Sequence, residues 1–199
     1  NVIIMTLLKN MFVHFYVIRL ILQVHIYIVI IKKVLYNILF FYIMKWVRIM
    51  EYKFTSYDES ETVELAENIE SEHFPNMVIC LDGDLGSGKT VFTKAFAHAL
   101  GINETITSPT FNIIKEYPDG ELPLYHMDVY RLDGKEKELG IEDYFDKGGV
   151  TIIEWASMIQ DILPLERLDI KIKVIDENTR VFIFKPYGKV YEDICEGVL

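Results

Sequence analysis

From residue 51 onward, short apolar runs alternate with stretches whose apolar residues recur every three or four positions, the pattern of strands alternating with helices. Tyr52-Lys53-Phe54 reads as an edge strand, and Asp58 or Ser60 can cap a helix running to about Glu70 on Val63, Leu65, Ala66 and Ile69. Residues 77–82 are almost wholly apolar, as in a strand buried on both faces of a parallel sheet. A helix from Lys89 to Leu100 carries Val91, Phe92, Ala95, Phe96 and Ala99 and stops at Gly101. "FNIIKEY" and "LYHMDVYR" flank the turn "PDGELP"; a charged helix near 135–145 and the strand "GVTIIEW" follow. "IKIKVI", "DENT" and "RVFIFKP" form a closing hairpin. The expected fold is α/β: a mostly parallel sheet with antiparallel hairpins, helices on both faces, and one domain over 50–199.

The first fifty residues break this pattern. "VHFYVIRLILQVHIYIVIIKKVLYNILFFYIMKW" suggests a membrane segment, but Arg19, Gln23, Lys32 and Lys33 leave no uninterrupted apolar run of spanning length. Residues 1–50 contain no Gly, Ala, Pro, Ser, Asp or Glu. At average usage, chance omission of Gly, Ala and Pro alone is on the order of 1 in 10⁵. Those three have only GC-rich codons, whereas Ile, Tyr, Asn, Lys and Phe have AT-rich ones. The expectation is that 1–49 is a translated AT-rich leader, with Met50 the natural start; the alternative is a membrane anchor or targeting segment.

Charge sharpens the division. Six basic residues and no acid lie in 1–50, leaving 14 basic against 30 acidic residues in 51–199, a net of −16. So acidic a domain is poorly suited to gripping nucleic-acid phosphates unaided. Cys80 and Cys195 offer neither a disulfide framework nor a zinc pattern, and they fit a reducing cytosol. No membrane association is expected for 50–199, and a cytoplasmic location is.

The sharpest chemistry lies in "GDLGSGKT". Gly83, Gly88, Lys89 and Thr90 match G-x-x-x-x-G-K-[ST] between a buried strand and a helix, the context a phosphate-binding P-loop requires. Backbone N–H groups over Asp84, Leu85, Gly86, Ser87, Gly88, Lys89 and Thr90 can wrap a β-phosphate at a helix N-terminus. Lys89 would reach the β- and γ-phosphates of ATP, and the Thr90 hydroxyl would ligate Mg²⁺. Glu154 ends an apolar strand as a Walker-B acid does. Asp128 lies within an apolar, aromatic strand, where a bare charge is costly, so Mg²⁺, water or Arg131 is its expected partner. His126 reads as a hydrogen-bonded strand histidine, with a ligand or base as the alternative, and Trp155 as a packing residue, with a substrate platform as the alternative. "TSPTF" puts the hydroxyls of Thr107, Ser108 and Thr110 where a switch segment would sit.

"GDLGSGKT", "SPTF", "HMDVYR" and "IIEW", in this order and spacing, resemble the TsaE family of small P-loop ATPases, over about Glu51 to Lys185. The resemblance implies that Thr90 and Glu154 bind Mg²⁺, that Asp128 and Thr110 act around the γ-phosphate and the attacking water, and that Ser60 and Thr62 approach the adenine. It departs from the family at Ser87, where alanine is usual, and at Val91, where a second Thr commonly follows. It further implies a role in forming threonylcarbamoyladenosine beside the tRNA anticodon. The implied partners are TsaB- and TsaD-type proteins, which would bring tRNA indirectly. A small-molecule kinase and a nucleotide-dependent switch or scaffold stay open as alternatives.

Overall fold

The computed structural model describes residues 31–33, 35, 50–109, 112–132 and 139–199. Contacts divide the chain into two units, Asn1–Arg48 and Ile49–Leu199. In the first, Ile31, Lys32, Lys33 and Leu35 are helical and exposed, and the rest of the leader-or-anchor expectation for 1–49 lies outside the described residues. Among the described residues no helix is long and apolar enough to cross a membrane.

The second unit is built on a seven-stranded sheet. Its strands are β1 (Tyr52–Ser56), β2 (Val78–Asp82), β3 (Ile114–Tyr117), β4 (Leu124–Asp128), β5 (Val150–Glu154), β6 (Arg167–Val174) and β7 (Arg180–Tyr187), in the order β1-β7-β6-β2-β5-β4-β3. The parallel pairings, β6–β2, β2–β5 and β5–β4, are central. The β6–β7 and β3–β4 hairpins and the β1–β7 pair add antiparallel strands on either side. The strand β2 is apolar on both sides because both faces are covered. Ile79 and Leu81 join Leu65, Phe92, Phe96, Phe182 and Phe184 in one core; Val78 and Cys80 join Met127, Ile141, Ile153 and Ile159 in the other.

The α-helices serve the first core. Helix α1 (Glu59–Glu70) starts at Asp58, whose carboxylate accepts from the Glu61 N–H at 2.9 Å, while the Glu61 carboxylate accepts from the Tyr57 N–H at 2.8 Å. This reciprocal capping pairs two backbone donors at the helix start. Hydrogen bonds from Ser60 and from the Glu61 N–H hold the Asp58 carboxyl below its usual pKa. Helix α2 (Lys89–Ala99) buries Phe92, Ala95 and Phe96 and is followed by Gly101 at φ 87°. Two short 3₁₀ helices, Ile141–Tyr144 and Ala156–Ile162, carry Ile141, Ala156 and Ile159 into the second core.

Three expectations need correction. The charged helix expected near 135–145 is not continuous over 139–145: Gly140 takes φ 60° and Ile141–Tyr144 make one 3₁₀ turn, while 133–138 lie outside the described residues. The strand read from "FNIIKEY" begins only at Ile114, because Ile113 sits at φ 65°. The strand read from "LYHMDVYR" ends at Asp128, so this acid is terminal rather than central. One element is an addition, helix α3 (Lys189–Val198), with Tyr191, Ile194, Cys195 and Val198 at helical spacing.

Helix α3 is tied to the sheet by the buried Tyr191, whose hydroxyl accepts a 2.8 Å hydrogen bond from the N–H of Val78 at the start of β2. Burial pushes the Tyr191 phenol up to about 12. Tyr191→Phe leaves a buried N–H unpaired and should lower the unfolding free energy by about 1–3 kcal/mol in urea titrations. Because the folded-state pKa is raised, Tyr191 contributes fully below its ordinary value of 10.0 and loses that contribution as pH rises toward about 12. The variant should lack this component of alkaline destabilisation.

Candidate functional site

The candidate residues converge at the C-terminal ends of β2, β5 and β4. Leaving β2, the chain turns through Gly83, Gly86 and Gly88, with Gly86 at φ 77° and Gly88 at φ 106°, values that side-chain-bearing residues rarely adopt. Gly83 is fixed by space: a Cβ there would lie 2.6 Å from the Ile172 carbonyl oxygen and 2.7 Å from Ser87 Oγ. The loop therefore lies directly against β6. Helix α2 opens at Gly88 with no side-chain cap, so the first-turn N–H groups that a helix cannot pair internally are left facing the loop. Such a cradle fits a phosphate. Ser87 is fully buried, and its Oγ has no hydrogen-bond partner among the described residues.

Lys89 is buried, and its ammonium donates to the carbonyls of Gly83 at 2.7 Å and Asp84 at 3.0 Å. It also lies 4.0 Å from the centroid of the Trp155 ring. Burial lowers its pKa, opposed by the carboxylates of Glu154 and Asp128. Trp155 is thus more than the packing residue expected. It takes φ 64°, donates its N–H to the Leu81 carbonyl at 2.8 Å, and sets its ring 4.8 Å from that of Tyr130.

Beside the lysine stand the two acids. The pairing of β4 with β5 sets Asp128 opposite Glu154, and both are buried. Thr90 Oγ1 donates to Glu154 at 3.0 Å (Oε1) and 3.3 Å (Oε2), while His126 Nε2 lies 2.9 Å from Oε1. Asp128 accepts from Ser108 Oγ at 3.1 Å and from the Tyr130 N–H at 3.1 Å. Ser108 therefore brings the "TSPTF" segment to the acids, and Lys115 holds the neighbouring Thr107 hydroxyl. Thr110, expected near the γ-phosphate, lies outside the described residues. Among the described residues no group of three His, Cys, Asp or Glu side chains could hold a metal by itself. The donor set suits Mg²⁺, which takes one or two protein ligands and fills its shell with phosphate oxygens and water.

On the other side of the loop, a cavity of about 220 Å³ is lined by Thr62, Gly86, Gly88, Val91, Asn178 and Arg180, among others. Thr62 is thereby joined to the loop, with its hydroxyl 2.9 Å from that of Ser56. Ser60 instead donates to Asp58 at 2.5 Å. Sequence reasoning missed Asn178 and Arg180, because nothing in "DENTR" says that its hairpin neighbours the loop; the β6–β2 pairing does. It offered His126 a part in the site only as the alternative to a strand histidine, although a histidine two residues before a buried acid on one strand shares that acid's face. A larger cavity, about 650 Å³, is lined by Asn76, Val78, Phe145 and Leu163 and contains none of these residues.

Comparison with known proteins agrees with this geometry. The family described as "Threonylcarbamoyl adenosine biosynthesis protein TsaE" matches residues 56–182. The tRNA threonylcarbamoyladenosine biosynthesis protein TsaE of Bacillus subtilis is 47% identical over 144 residues, spanning 72% of this chain and 91% of that protein. Its namesake in Rickettsia felis is 38% identical over 127 residues, spanning 62% of this chain and 74% of that protein. The crystal structure of B. subtilis YdiB superposes with a TM-score of 0.67 at 44% identity, covering 75% of this chain and 94% of that one. A P-loop set against β6, a threonine bonded to a strand-end glutamate and this kinship lead to one assignment: the chain belongs to the TsaE family of threonylcarbamoyl adenosine biosynthesis proteins.

Proposed function

We propose that this protein is a Mg²⁺-dependent ATPase that supports threonylcarbamoyl transfer to the adenosine beside the anticodon of tRNA, acting in the cytoplasm with TsaB- and TsaD-type partners. The observation that carries the ATPase reading is the Thr90–Glu154 hydrogen bond at the mouth of an uncapped P-loop helix. Mg²⁺ bound there would neutralise charge developing on the phosphates of ATP.

The chain's own groups would divide the work. The backbone cradle would bind phosphate oxygens, and Lys89 would exchange its two loop carbonyls for them, since a hydrogen bond between two charged groups is stronger than one to a neutral carbonyl. Thr90 and Glu154 would hold the cation side. Asp128, beside Glu154 and bonded to Ser108, would orient the attacking water, together with Thr110 of the same segment. Thr62, Val91 and Asn178 would face the nucleoside end. The acidic surface suits a subunit that meets tRNA through its partners rather than directly.

Lys89→Ala should weaken ATP binding by about tenfold to a hundredfold in calorimetric titrations, the loss of a hydrogen bond to a charged group, while the fold persists. Wild-type affinity in this variant would contradict the P-loop assignment. Asp128→Ala and Glu154→Ala should retain nucleotide binding through the backbone cradle but lose about 10²–10⁴-fold in Mg²⁺-dependent turnover. Turnover at the wild-type rate in both would remove the acids from the site. ATPase rates should be slow for the protein alone and rise with the TsaB- and TsaD-type partners, releasing inorganic phosphate. A rate driven instead by one small hydroxyl-bearing metabolite, with that metabolite phosphorylated, would identify a kinase.

A further inference from the structure

We infer that His126 is a positioning residue: it fixes the Glu154 carboxylate so that one oxygen stays available to the magnesium–nucleotide complex. The inference rests on the Mg²⁺-nucleotide reading of the site. His126 is fully buried in β4, two residue pairs in from the Asp128–Glu154 pair and therefore on the same face of the sheet. Its Nε2 lies 2.9 Å from Glu154 Oε1, and its Nδ1 is buried without a hydrogen-bond partner among the described residues. A carboxylate only accepts, so the tautomer assigned by this contact carries its proton on Nε2 and donates it to Glu154.

The unpaired Nδ1 argues against simple packing. An apolar side chain would fill the same space without the cost of desolvating a ring nitrogen that has no partner among the described residues. What the imidazole adds over such a side chain is one donor, and that donor is directed at Glu154. The carboxylate is then loaded unequally. Among the described residues, Oε1 takes both His126 at 2.9 Å and Thr90 at 3.0 Å, whereas Oε2 has only the longer Thr90 contact at 3.3 Å. Oε2 is thus the oxygen with capacity for a cation or its bound water. Without His126, the carboxylate could rotate about its terminal torsion, which is broad and roughly two-fold, and that preference would be lost. Groups that orient metal-binding side chains in this way typically cost about 10–100-fold in metal affinity or activity when removed.

The test measures ADP binding to the full-length protein by calorimetry, with Mg²⁺ and with EDTA, and takes the ratio of the two affinities. It compares wild type with His126→Leu, His126→Gln and His126→Asn. The Gln amide can reach the place of Nε2 and keep the donor; the Asn amide reaches only the place of Nδ1. His126→Leu and His126→Asn should lose about 10-fold or more of the magnesium-dependent gain, with EDTA affinity unchanged, and His126→Gln should keep most of it. The magnesium concentration for half-maximal ATPase activity should rise in the same two variants. If Leu does not fold, the contrast between Gln and Asn decides, because both are polar and differ in reach. Equal gains in Gln and Asn, or a loss of EDTA affinity matching the loss with Mg²⁺, would overturn the positioning role. A wild-type protein with no magnesium-dependent gain would instead overturn the Mg²⁺-nucleotide reading, and this inference with it.

Discussion

Lys89, Asp128 and Glu154 are all buried within one small region at the C-terminal edge of the parallel strands. Charges out of water are tolerable only when paired or hydrogen-bonded, and the surrounding structure can be understood as supplying those partners. Two loop carbonyls and the Trp155 ring receive the ammonium. Thr90 and His126 meet one carboxylate, and Ser108 and the Tyr130 N–H meet the other. These partners are spread over several elements, so the site exists only when β2, α2, β4, β5 and the segment before β3 are all in place.

The backbone around these charges is held in conformations that side chains ordinarily avoid. Trp155, directly after β5, and Ile113, just before β3, both take positive φ, and for a branched residue such as Ile113 this is uncommon. The surroundings fix both. The Trp155 N–H bonds to Leu81, and its ring lies against Tyr130 and Lys89; the Ile113 N–H bonds to Pro109, and its carbonyl accepts from the Asp128 N–H. The turn at Ile113 thus links the segment carrying Ser108 to the strand that carries Asp128. A ligand that displaced Lys89 from its loop carbonyls would also change its contact with the Trp155 ring. The P-loop lysine and Tyr130, just beyond β4, thus meet on one aromatic ring at the end of β5.

Much of this was legible in the sequence wherever one local rule decided the outcome. The uninterrupted apolar run of β2 required two covered faces, Asp58 could cap α1, and glycines at fixed spacing before Lys89 and Thr90 required a phosphate-binding turn. The strand ends were less legible. Apolar, aromatic "VYR" and "FNI" read as strand by composition, but strand pairing stops where the chain must turn to bring Asp128 and Ser108 together. Helix α3 is legible in its apolar spacing but not in its start, where Gly188 supplies no capping side chain.

The sequence by itself determined which chemistry is present: a phosphate loop, a hydroxyl for a cation and two acids at strand positions, all set by residue type and short-range spacing. Only the tertiary structure decided how these groups share hydrogen bonds. The order β6-β2-β5-β4 places the hairpin turn with Asn178 and Arg180 beside the loop, and the β4–β5 register turns His126 toward Glu154 rather than leaving it a core histidine. Strand order and register depend on which apolar faces bury one another over long sequence separations, and no local pattern along the chain encodes that.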